Sequence, residues 1–276
     1  MPATNPRPDV VTAERAGRDR PTEDRIFTTP DAVIVLDGAS QPEKTSRDGG
    51  WLAEQVGQHL RQLLTEHPRA DLTDTLAEAI GHVRDGHTLR PGSGPSTTVS
   101  IVRWTSDDID VLVLGDSPAI LLTRGGEIHQ VRDDRLSRVA SDQRAELYNA
   151  VRRRGGFGFQ HVAEWTALVQ AQQRARNTPG GYWIVEADPE AARHAVRASW
   201  PVSDIAAVLT MTDGVADGMD SYRVPASWTA AFALADEHPT LLVEAVHQAE
   251  EGDADGRRWP RSKQHDDKAV ALIRFR

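Results

Sequence analysis

The chain has 276 residues, no cysteine, and 41 acidic against 32 basic side chains, for a formal net charge of -9. Without cysteine there can be no disulfide scaffold, cysteine-ligated zinc, iron–sulfur cluster or thiol nucleophile. The acidic balance argues against a nucleic-acid binder, which needs a basic face. No apolar run approaches the roughly 18–20 residues of a membrane span, and Met1 to Asp9 lacks the apolar core of a secretory signal. A cytoplasmic enzyme with no membrane and no nucleic-acid partner is the expectation.

In chain order, Val10 to Gly17 reads as a first strand. Arg25–Thr28 and Ala32–Leu36 read as two short strands around the Thr29-Pro30-Asp31 turn. The second is apolar throughout, as a strand buried on both faces would be. A helix is expected from about Gly50 to Glu66, with Leu52, Val56, Leu60 and Leu63 at helical spacing, ended by His67-Pro68. A second runs from about Leu72 to His87. Four strands with tight turns follow at Ser96–Trp104, Ile109–Leu114, Ala119–Thr123 and Glu127–Val131, read as one run of antiparallel sheet. Residues 138–178 are polar, arginine-rich and mostly helical, broken at Gly155-Gly156. Gly181–Val185 and Ile205–Met211 are expected strands. Helices near Ser227–Ala235 and Pro239–Glu251 and a strand at Ala269–Phe275 complete the chain. No linker or repeat divides it, and the element order favours α+β layers in one domain spanning 1–276.

The acids are weighted to aspartate, 26 against 15 glutamates. Aspartate is a common turn residue, so one Asp-Gly after a strand means little. Here several strands end in or begin from one. Ala32–Leu36 ends in Asp37-Gly38, Ile109–Leu114 in Gly115-Asp116-Ser117, and Ile205–Thr212 in Asp213-Gly214 with Asp217 one helical turn later. His265-Asp266-Asp267 precedes the last strand, and Glu23-Asp24 precedes the first hairpin. Carboxylates that converge repel one another unless cations neutralise them. Hard divalent ions do so, and a pair of them can activate water against a phosphoryl group. A glycine after Asp37 lets its backbone carbonyl approach such an ion.

The ordered set Glu23-Asp24, Asp37-Gly38, Gly94-Pro95-Ser96-Thr97-Thr98, Gly115-Asp116-Ser117, Thr212-Asp213-Gly214 with Asp217, and Asp266-Asp267 resembles the metal-dependent Ser/Thr protein phosphatases of the 2C type, bacterial PPM members included. The resemblance covers about residues 10 to 276. It implies a four-layer α-β-β-α sandwich, two antiparallel sheets flanked by helix pairs, with a flap-like insertion near 138–180. It implies a site for two Mn2+ or Mg2+ ions, with a third, weaker one. By position, Asp37 matches the bridging carboxylate, Gly38 the carbonyl ligand, and Asp213 and Asp266 ligands of the first ion; these three aspartates carry catalysis. Glu23 and Asp24 match the acidic pair, Asp116 the ligand of the third ion, and Asp217 a further acid beside it. Metal-bridged water would be the nucleophile, without a phosphoenzyme. A phosphorylated protein is the implied substrate and partner, with a Ser/Thr kinase or its target in the same signalling pathway.

The sequence departs from the family pattern in places. Asp19 stands where the family has the arginine that grips phosphate; Arg18 and Arg20 flank it, and Arg20 is preferred for that task. Ala39, followed by Ser40, replaces a histidine of many eukaryotic members, which leaves the proton donor unassigned. Pro118 replaces the common arginine after Gly-Asp-Ser, and the flap sequence departs from the commoner flap pattern. Three rivals stand beside the main reading: a serine hydrolase built on Ser117, Asp213 and His265, a phosphatase of a small metabolite, and a non-catalytic 2C-like binding module. The first is disfavoured because Pro118 has no N–H to lend to an oxyanion hole.

Overall fold

The computed structural model describes residues 7–39, 47–92 and 94–275; Ser40 lies outside them. Ten strands form two five-stranded antiparallel sheets among the described residues. One has the order β1 (Asp9–Arg15), β10 (Lys268–Arg274), β9 (Ile205–Met211), β6 (Ala119–Thr123), β7 (Ile128–Val131). The other has the order β2 (Arg25–Thr28), β3 (Ala32–Leu36), β4 (Val99–Trp104), β5 (Asp108–Leu114), β8 (Val196–Pro201). The sheets pack face to face as an α+β sandwich. No described helix is long and apolar enough to cross a membrane.

Period-two alternation builds the layers. Along β3, Val33 and Val35 point between the sheets, while Ile34 and Leu36 point outward beneath helices α1 (Gly49–Glu66) and α2 (Leu72–His87). Along β10, Ala269, Ala271 and Ile273 point between the sheets, and Val270 and Leu272 meet α7 (Trp228–Glu237) and α8 (Pro239–Glu251). Each strand is apolar throughout because each face is covered. The helices start where the sequence places acids at their caps: Asp48 accepts from the Trp51 N–H at 2.9 Å, and Asp71 from Thr73 and Asp74.

Three expectations are corrected. The run of four strands is split between the sheets: β4 and β5 belong to one, β6 and β7 to the other. The crossing is made at Gly115, whose φ of +86° turns the chain; a Cβ there would also lie 2.9 Å from Thr98. Gly181–Val185 is not a strand but carries single bridges, Tyr182 to Arg176 and Val185 to Thr97. The edge strand β8 was not expected, although Val196, Ala198 and Trp200 alternate inward toward the inter-sheet core. A terminal Pro201 and its half-polar pattern hide it, as suits an edge strand.

The register fixes where function sits. Arg25 pairs with Leu36, Val99 with Leu114, and Met211 with Val270. The strand ends that carry Asp24, Asp37, Asp116, Asp213 and Asp266 therefore share one edge of the sandwich. The remaining wall there comes from the segment between β7 and β8, with α3 (Arg135–Arg138), α4 (Ser141–Arg154) and α5 (Val162–Ala175). Helix α1 is held to this edge by contact of two backbones: a Cβ on Gly49 would lie 2.5 Å from the Ala39 nitrogen, and one on Gly38 would lie 2.4 Å from Gly49 and Gly50. Glycine at 38 thus answers a packing demand, beside the ligand role that the resemblance implies for its carbonyl. Gly49→Ala is expected to destabilise the protein by about 1–3 kcal/mol in urea unfolding, the cost typical of an overpacked contact.

Candidate metal centre and its cleft

Asp37, Gly38, Asp116, Asp213, Asp217 and Asp266 all line one cleft of about 470 Å³. Backbone and hydroxyl contacts set the strand ends. The Asp37 N–H donates to Thr98 Oγ1 at 3.2 Å, and its carbonyl accepts from the Thr98 N–H and the Thr97 hydroxyl. Asp213 opens the short helix α6 (Asp213–Asp217), which puts Asp217 one turn further into the same cleft. Asp116 follows the Gly115 turn, which is held because Asp133 accepts the Gly115 N–H at 3.1 Å.

Glu23 and Asp24 lie behind the cleft wall rather than on it. Asp24 is 1% exposed and accepts the Thr212 hydroxyl at 2.8 Å. Glu23 is paired with Arg20, Nη2 to Oε2 at 2.7 Å. Of the two arginines expected to grip phosphate, Arg18 is exposed and Arg20 is engaged by Glu23, and neither lines the cleft. The sequence places Asp267 in the Asp266-Asp267 pair but assigns it no role. Its carboxylate accepts the Gly17 and Glu23 N–H groups, each at 2.8 Å, and so pins the loop carrying Glu23-Asp24 to the start of β10. Sequence reasoning overlooked Lys263, Arg132 and Arg144, which face the acids across the cleft.

The electrostatics show the strain of this assembly. Burial, then the charges of Asp213 and Asp24, push the Asp37 carboxyl well above the usual range. Burial also raises Asp24 and Asp213. Asp116 is pushed up to about 7 and Asp217 to about 8, burial leading and Asp213 adding in each case. Asp266 is the exception: burial works against its charge, but Lys263, bonded to Oδ1 at 2.6 Å, holds it below the ordinary value. A set of hard carboxylate oxygens with too few cations is the donor chemistry that Mg2+ and Mn2+ suit. The residues present fit such ions.

Another group brings donor atoms within 4.8 Å of one another: His247, Glu250 and His265. Its geometry speaks against a shared ion. The two imidazoles are stacked, 4.2 Å between centroids and 20° between planes, so their in-plane lone pairs cannot converge on one point. Lys268 Nζ already neutralises Glu250 at 2.7 Å. His265 bonds Glu250 at 3.0 Å and does not line the cleft. Ser117 is fully buried and bonded to the Thr98 hydroxyl, and a strand follows it, which removes the serine-hydrolase geometry.

Raised carboxyls make the metal-free protein pH-sensitive in a defined direction. Asp116 and Asp217 keep protons in the folded state up to about 7 and 8, but lose them near 4 when unfolded. Between those values the folded state binds more protons, so stability falls as pH rises. With chelator, the Tm should drop from pH 5 to pH 8, and Mn2+ should raise it more at pH 8 than at pH 5. A thermal-shift series measures both; a Tm that climbs with pH in chelator would contradict the assignment.

Known proteins share this fold. Residues 13–247 match the family model described as protein phosphatase 2C. No curated protein sequence matches the chain. Among solved structures, a bacterial serine phosphatase aligns with a TM-score of 0.61 at 12% identity, over 98% of each chain. Stp1 from Staphylococcus aureus, a serine/threonine phosphatase, aligns at 0.61 and 13% identity over 99% of this chain and 96% of its own. The catalytic domain of the serine/threonine protein phosphatase PstP, in complex with two manganese ions, aligns at 0.56 and 15% identity over 97% of each. These likenesses establish the fold, and with the family match over most of its length the chain belongs to the protein phosphatase 2C family.

Proposed function

We propose that the protein hydrolyses phosphoserine or phosphothreonine in another protein, with two Mn2+ or Mg2+ ions at the cleft acids and room for a third. The observation that carries this reading is the convergence of Asp37, Asp116, Asp213, Asp217 and Asp266 in one cleft, with most of their carboxyls forced upward by burial and mutual repulsion. Asp37, the Gly38 carbonyl, Asp213 and Asp266 would hold the first pair of ions, with Glu23 and Asp24 supporting from behind and Asp116 and Asp217 beside a third. Bound there, such ions supply Lewis acidity, activating water and offsetting charge on the phosphoryl oxygens.

The chain's own groups supply position and exclusion. No cysteine exists, Ser117 is buried, and none of the ten histidines lines the cleft, so no imidazole stands there to activate the hydroxyls of Ser137 and Ser262. Asp116 and Asp217, pushed up to about 7 and 8 in the metal-free protein, would give up their protons on holding an ion. Trp165, Leu168 and Val169 of α5 and Tyr148 of α4 form an apolar wall opposite the acids. That wall supports a polypeptide substrate, whose apolar side chains can lie along it while the phosphorylated side chain enters. A partner Ser/Thr kinase or its target would supply that substrate.

The test is phosphate release from a phosphopeptide and from p-nitrophenyl phosphate, with Mn2+ or with chelator. Manganese-dependent turnover is expected. Asp37→Ala and Asp213→Ala should each lower kcat by about a hundred- to a thousandfold, the scale of losing one preorganised electrostatic contact. Full activity in either variant, or none in the wild type, would refute the reading. Sugar phosphates run in parallel distinguish a metabolite phosphatase.

A further inference from the structure

A phosphate needs a cation, and the structure distributes the available ones unequally. Arg20 is spent on Glu23 and lies off the cleft. Within the cleft, Lys263 is bonded to Asp266 at 2.6 Å. Arg132 holds Asp220 with both terminal nitrogens and lies 3.7 Å from Asp134. Arg144 differs from these. Its Nη1 donates to the Ser137 carbonyl at 2.7 Å and its Nη2 to the Leu136 carbonyl at 3.0 Å, and no carboxylate among the described residues lies within 4 Å of it. Carbonyls orient a guanidinium without cancelling its charge, and they leave donors of its five N–H groups unused.

The placement is built rather than incidental. Arg144 stands on the first turn of α4, and Tyr148, one turn later on the same face, lines the same cleft. Leu147 and Val151 pack α4 onto Leu168 of α5, which fixes the helix as a wall. The charge of Arg144 reaches Asp116, where it favours the carboxylate.

We propose that Arg144 grips the substrate's phosphoryl group, taking the task that Asp19 leaves vacant before the Glu23-Asp24 pair. The proposal rests on reading the cleft as a phosphatase site. A planar guanidinium can bond two phosphoryl oxygens at once. Since α4 belongs to the segment between β7 and β8, phosphate grip and the apolar wall then come from one element, and a substrate that fails to seat on the wall is also held badly at its phosphate.

The competing role is a clamp on the Leu136 and Ser137 carbonyls, and the test separates the two. Affinity of the Mn2+-loaded protein for inorganic phosphate is measured by calorimetry, alongside KM and kcat for p-nitrophenyl phosphate and the Tm. Arg144→Gln keeps a donor for the carbonyls but loses the charge; Arg144→Lys keeps the charge but loses the fork. Phosphate affinity is expected to fall by about tenfold or more in the glutamine variant, as for a lost charged hydrogen bond, with the lysine variant between it and the wild type. Arg152→Ala, on an exposed position of the same helix, should leave affinity unaltered. The proposal is overturned if Arg144→Gln binds phosphate within twofold of the wild type, if the glutamine and lysine variants weaken equally with a shared loss of Tm, if Arg152→Ala matches Arg144→Gln, or if the wild type binds no phosphate. A wild type that binds phosphate but hydrolyses neither ester defeats the enzymatic reading alone, since the binding data still decide Arg144.

Discussion

Mutual repulsion of carboxylates at one edge of the sandwich is the constraint to which the rest of the structure answers. Antiparallel registers bring the ends of β3, β5 and β9 and the starts of β2 and β10 to the same edge, so acids placed there must meet. Every neighbouring feature limits the penalty. Asp24 takes the Thr212 hydroxyl, and Lys263 sits against Asp266. Two well-covered sheets and their helix layers supply the cohesion that keeps such an edge intact. The arrangement sacrifices stability at one place to hold charge where cations and an anionic substrate can use it.

Much of the fold could be read in the sequence because its signals are local. The apolar runs of β3 and β9 and the caps at Asp48 and Asp71 are written within a few residues, and α2 begins and ends where its periodicity says. Asp37, Asp116, Asp213 and Asp266 were legible for the same reason: each follows or precedes a strand within two residues, whereas Asp133, Asp134 and Asp220, which also line the cleft, were not singled out. What escaped depends on contacts between distant segments. The division of β4–β7 between two sheets hinges on a single positive φ at Gly115. The role of Asp267 lies in N–H groups some 250 and 244 positions away in the chain. That Arg20 is bound to Glu23 while Arg144 keeps its charge unmatched is a property of partners, which composition and spacing do not display.

The cations around the cleft show a division of labour. Arg20 and Lys263 each hold a carboxylate of the proposed ligand set, and Arg132 braces Asp220 beside the short helix of Asp217. These pairs position acids. A divalent ion entering the cleft would meet Lys263 already drawn toward Asp266, Asp37 and Asp213. Ammonium and metal compete for one negative potential, and the hard dication carries the larger charge into it.

Lys263 and Lys268 are two of only three lysines in the chain, against 29 arginines. Lys263 is bound to Asp266, and Lys268 is fully buried against Glu250 and the Asp266 carbonyl. Leaving Lys44 aside, the side-chain amines of the chain are therefore gathered at the segment that leads into β10. Acylating reagents attack the neutral, accessible amine, so among the described residues they would find little to modify. The chemical accessibility of Lys263 becomes an intrinsic gauge of the cleft, its amine released or withheld as the acids around it change partners.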